Sequence, residues 1–185
     1  MVPRMVAALA AAQIMMLGAC AGAQAATAEA CPAATVTPAS ASMLPAASKA
    51  VLCLVNAERA GRGMAPLTAS SPLAKAASSH SSDMVRRKYF GHVAPNGLDQ
   101  RRRVARTGYL RGCRRPPALG ETIAFGTAVY GSPVELVKSL MESTAHRSII
   151  LDRRFRDIGV GLAIGAPMDG FGEFGSTLSL NFGRR

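Results

Sequence analysis

The chain changes period near its end, and that change limits the architectures open to it. Asp157–Gly165, DIGVGLAIG, and Ser176–Gly183, STLSLNFG, alternate or run apolar with glycines between. This is the pattern of two strands of an antiparallel pair. Upstream, apolar residues recur at helical spacing instead. Helices first and strands last predict an α+β domain rather than an alternating parallel one.

Three helices stand out. Between Ser48 and Ala60, Val51, Leu52, Leu54 and Val55 keep helical spacing until Gly61 and Gly63 end the run. Ser71 as an N-cap with Pro72 behind it opens a second, whose buried side is Leu73, Ala76, Ala77, Met84 and Val85. The third opens at Ser132–Pro133 and runs to about Ser143, with Glu135 three residues after Ser132 as a capping-box match and Val134, Val137, Leu140 and Met141 on one face. Leu98 to Arg106 is expected to form a short arginine-rich helix, and "TAHRSIIL" a short helical or extended stretch.

The N-terminus reads as an export signal, with Arg4 ahead of a nearly unbroken apolar run, Val6–Leu17, too short to span a bilayer. Two processing sites compete: Ala23-Gln24-Ala25 fits signal peptidase, and Leu17-Gly18-Ala19-Cys20 resembles a lipobox that would put a lipid on Cys20. The organisation expected is therefore a signal over residues 1–25, a flexible Ala/Pro/Ser/Thr-rich linker over 26–47 and one domain over 48–185. Export permits disulfides, and Cys31 with Cys53 would stitch the N-terminal segment to the first helix; Cys113 with Cys31 is the rival pairing.

The formal charge is +11, concentrated in arginine clusters at 86–88, 101–106, 111–115 and 153–156. In an exported protein these would meet an anionic envelope polymer, lipid or envelope protein rather than nucleic acid, with the membrane itself a partner only if Cys20 is lipidated. The bland alternative is that they solvate helix faces.

Four residues carry the chemistry on offer. His92 sits in YFGHVAPNG (89–97), where Pro95-Asn96-Gly97 turns the chain; Glu121 is a lone carboxylate in the apolar run Leu119–Phe125 and needs a partner; His146 follows the third helix, and Glu142 lies four residues before it. Two imidazoles and a carboxylate suit a divalent cation such as zinc, or histidines oriented by the carboxylate. His80, among serines on the second helix, reads as a structural histidine.

LVNAERAGRGMAPL (54–67), YFGHVAPNG, LGETIAFG (119–126) and STAHRSIILDRRFRDIGVGLAIG (143–165), in this order, resemble the bacterial branch of the CAP superfamily, the SCP domains. The resemblance implies a three-layer α-β-α sandwich with a central antiparallel sheet and a cleft lined by His92, Glu121 and His146. It places Ser143 where relatives often carry a second cleft glutamate, leaving the adjacent Glu142 as a weak substitute.

The function this implies is an exported binding or interaction protein, extracellular or periplasmic, with His92 and His146 as the candidate cation ligands. The alternatives are a metal-dependent or general-base hydrolase of peptide or cell-wall material, and a lipid-binding protein. The hydrolase reading lacks an HExxH, a GxSxG or a placed Cys/His pair.

Overall fold

A computed structural model describes residues 30–113, 116–171 and 174–185. The expected helices and the C-terminal strand pair are present, joined by two strands not anticipated, β1 and β2: helices α1 (Leu44–Ala60), α2 (Ser71–Arg87), α3 (Gln100–Arg106), α4 (Pro133–Glu142) and α5 (Thr144–Ile150), and strands β1 (Thr68–Ala69), β2 (Ala118–Thr127), β3 (Asp157–Ile164) and β4 (Gly175–Arg184). The sheet order is β1-β3-β4-β2. β4 pairs antiparallel with both β3 and β2, so the three long strands form the antiparallel sheet anticipated. β1 adds a two-residue parallel edge beside β3.

The two faces of this sheet are covered differently. Ile158 and Leu162 of β3 and Leu178, Leu180 and Phe182 of β4 join Val51, Leu54 and Val55 of α1 and Leu136, Val137 and Leu140 of α4 in the main core. The opposite face carries small and polar side chains, among them Gly159, Gly161, Ser179 and Asn181, with α2 packed directly on it. Helices on both sides of one sheet make the three layers. Because both faces are buried, the period-two alternation records which helix a residue meets rather than inside against outside.

Three local expectations change. Ser71 is the first residue of α2 rather than its cap, which is Ser70 and makes no side-chain cap bond. Ser132 caps α4 by position only: its side chain makes no cap hydrogen bond, its buried Oγ has no partner, and Glu135 faces Lys138 at 3.8 Å instead of reaching back. The capping box is thus not formed. The segment expected to be a loose linker up to residue 47 is built into the fold from Cys31 onward. Cys31, Ala34 and Ala47 are buried, the Val134 N–H donates to the Ala34 carbonyl at 2.9 Å, and α1 starts at Leu44 with Pro45 in its first turn.

Cys31 and Cys53 are joined in a disulfide, and Cys113 is a half-buried free thiol. The bridge closes a sequence separation of 22 residues. Cys53→Ser should therefore destabilise the fold by on the order of 3 kcal/mol. A thermal unfolding curve superimposable on that of the parent would show that the small-residue segment holds its place without the crosslink.

Candidate functional site

Glu121 lies on β2, opposite Asn181 of β4 in the register, and its side chain turns to the α2 face of the sheet. Gly120, its neighbour, faces Phe155 and Ile149 on the other side. A carboxylate 4 % exposed needs compensation, and α3 supplies it. Asp99 caps that helix by accepting from the Arg102 N–H at 2.8 Å, which aims Arg103 inward. One Arg103 nitrogen donates to both oxygens of Glu121, at 3.0 and 2.7 Å.

The same guanidinium builds the His92 loop. It donates to the carbonyls of His92 (3.0 Å) and Leu98 (2.8 Å), while Gly97, in the left-handed region at φ 77°, lets the Pro95-Asn96-Gly97 turn close with its N–H on Ala94. His92 Nδ1 then meets Glu121 Oε1 at 2.9 Å. Its ring is half exposed and faces an open cavity of about 450 Å³ lined by Val93, Asp99, Gln100, Arg101 and Glu121. The loop closed by the Pro95-Asn96-Gly97 turn and the lone carboxylate of the sequence thus meet directly, through His92.

Behind them lies His80, 1 % exposed on α2, with Nε2 4.0 Å from Glu121 Oε1 and without a hydrogen-bond partner. Burial chiefly holds its pKa below the ordinary histidine value, with Glu121 opposing. Asn181 completes the set when its amide donates to Glu121 Oε2 and accepts from Ala77 N–H, each at 3.2 Å. Arg103 and His80 had no role in the sequence reading beyond a charged face and a structural histidine. The signal for Arg103 was available: an unpartnered carboxylate in an apolar run, and an arginine-rich helix with a single large apolar residue, Val104, to bury.

His146, at the start of α5, is half-buried; burial first and the nearby His92 second lower its pKa, which favours the neutral imidazole. It shares no hydrogen bond with His92 or Glu121 among the described residues. Glu142 is not brought to this cavity. It lines a separate groove of about 320 Å³ between α1 and α4, with Leu54, Glu58, Val137 and Arg147.

Among the described residues no three His, Cys, Asp or Glu side chains are grouped to hold a metal ion. Glu121 has both oxygens on Arg103, so it is an orienting group for His92 rather than a free ligand. What is left for a cation is Nε2 of His92 and the imidazole of His146.

The family model for CAP, the cysteine-rich secretory protein family, matches residues 52–171, which takes in the His92 loop, Arg103, Glu121 and His146. The chain belongs to the CAP family. YkwD, an uncharacterised protein of Bacillus subtilis, is 36 % identical over 120 residues, 65 % of this chain and 44 % of that relative. The CAP chain therefore spans less than half of the curated relative's length. Among solved structures, an extracellular SCP-domain protein of Bacillus anthracis superposes with a TM-score of 0.63 at 22 % identity, covering 81 % of this chain and 45 % of its own. An outer surface protein of Borrelia burgdorferi gives 0.60 at 15 %, covering 74 % and 91 %. At these identities the two structures speak for the fold, and they match the three-layer sandwich.

Proposed function

We propose that this CAP protein is an exported binding protein, acting at the cell envelope or outside the cell, whose His92–His146 face takes a divalent cation such as zinc. The observation that carries the reading is the pairing of Glu121 with Arg103. A carboxylate held on both oxygens by a buried guanidinium is poorly placed to take a proton from water, which weighs against a general-base hydrolase. It is well placed to fix the His92 ring through Nδ1 and leave Nε2 outward.

One structural relative is an extracellular protein and the other an outer surface protein, which supports the location. No helix of the described residues is long and apolar enough to cross a membrane. The net charge of +11 suits anionic envelope polymers as the macromolecular partner. For the lipid-carrier alternative, the α1–α4 groove has a charged rim of Glu58, Arg62, Lys138 and Arg147, while the cavity of about 340 Å³ lined by Val36, Pro38, Met43 and Ala46 is apolar.

Zinc titrated into residues 26–185 by calorimetry at neutral pH should give a saturable isotherm that disappears in His92→Ala/His146→Ala. Glu121→Gln keeps both imidazoles and loses the orienting carboxylate, so affinity should drop roughly 10–100-fold. Undiminished binding in the double variant would take the cation away from these residues.

A further inference from the structure

Large apolar side chains exposed to solvent are gathered at one end of the molecule. Phe90 lies on the loop after α2, Val129 and Tyr130 on the single 3₁₀ turn after β2, and Phe171 and Phe174 on the β3–β4 connection, each at least 38 % exposed; Val93, also exposed, lines the His92 cavity instead. These three loops touch. The Phe90 ring packs edge-on against Phe125 at 5.1 Å between centroids, Phe125 packs on Phe171 at 5.2 Å, and the Ala128 N–H donates to the Phe174 carbonyl at 3.0 Å. Val36, the remaining exposed large apolar residue among those described, adjoins the same end, since the Thr37 hydroxyl donates to the Ala128 carbonyl at 2.8 Å.

We propose that this end docks on the surface of an anionic lipid bilayer, with the aromatic loop tips entering the headgroup region. Apolar residues scattered singly over a surface need no explanation; a contiguous set confined to one end does. Phenylalanine and tyrosine on separate protruding turns suit shallow insertion at a bilayer interface.

Charge selects the bilayer over a second copy of the chain. The net positive charge, of which export removes only Arg4, draws the protein to anionic headgroups and opposes the approach of an equally charged copy. Arg86, Arg87 and Lys88 flank the aromatic end. Their partners are Asp83, 2.6 Å from Arg86 and 3.4 Å from Arg87, and Asp169, 3.8 Å from Lys88, among the described residues. Such exposed pairs are weak and can be exchanged for lipid phosphates. The docking face does not depend on a cation at His92.

Residues 26–185, which lack Cys20 and so carry no lipid of their own, test this by sedimentation with vesicles of equimolar phosphatidylglycerol and phosphatidylcholine. The parent chain should bind. Phe171→Ser/Phe174→Ser should weaken binding about tenfold or more, and Val129→Ser/Tyr130→Ser, on a different tip, should weaken it in the same direction. The side chains are exposed, so both variants should keep the parent circular dichroism spectrum. Failure of the folded parent to bind, or equal affinity in both variants, would overturn the proposal. So would self-association of the parent without vesicles that the same substitutions abolish, because the face would then belong to a second copy.

Discussion

Arg103→Met is expected to lower stability by about 3–5 kcal/mol, read as a fall in the urea midpoint with the slope unchanged. Arg103 is 5 % exposed and sits on both oxygens of a carboxylate that is equally buried. Methionine fills much of the volume but leaves Glu121 with His92 and Asn181 as its remaining partners. An uncompensated buried charge is the costly part, not the lost attraction. Glu121→Leu should fail for the mirror reason, leaving the guanidinium without its partner.

The double variant Arg103→Met/Glu121→Leu removes both charges and should be far less damaged than the sum of the singles. Simple additivity would sink the idea that the pair is coupled. The loop provides a second readout. Arg103 also holds the carbonyls of His92 and Leu98, so its loss should speed amide exchange at Ala94 and Gly97, whose N–H groups close the turn on Leu98 and Ala94. A destabilised protein with that turn still protected would separate the arginine's contribution to stability from any part in positioning His92.

What could be read in advance follows from what each pattern reports. The helix faces and the β3–β4 pair were legible because they lie against a large apolar core and their periods are unmixed. β2 was visible only as an apolar run, since Glu121 and Thr122 put a polar residue on each face and no alternation is left to read. Cys31 and Ala34 looked like tether because composition records the lack of large apolar residues; it does not record that small ones fill a space closed by the disulfide. Arg103 and His80 were hidden by their neighbours. An arginine among arginines reads as a solvated face until the carboxylate across the fold is located. The turn at His92, the isolation of Glu121 and the short arginine-rich helix were each visible, but which of its arginines joins the two could be settled only in three dimensions.

Gly161→Ala should cost about 4 kcal/mol, above the usual 1–3 kcal/mol of an overpacked core, because no side chain is available to yield. A methyl on Gly161 would fall within 3.0 Å of the Ala77 and Ser78 backbone of α2, and one on Gly159 would fall equally close to Leu73 and Ala74. Relief requires helix and strand to separate. That separation would break the Ser81 hydroxyl's bonds to the Gly161 carbonyl (3.0 Å) and to Ser179 (2.9 Å), one residue from His80. Gly91→Ala is the control: its nearest atom would be 3.9 Å away, and the change should stay within about 0.5 kcal/mol. If Gly161→Ala proved as mild as the control, α2 could lift from the sheet at little cost, and the glycines would no longer account for His80 lying against Glu121. If it is severe, the two glycines of DIGVGLAIG set the depth at which α2 sits, and through it the position of the buried histidine behind the site.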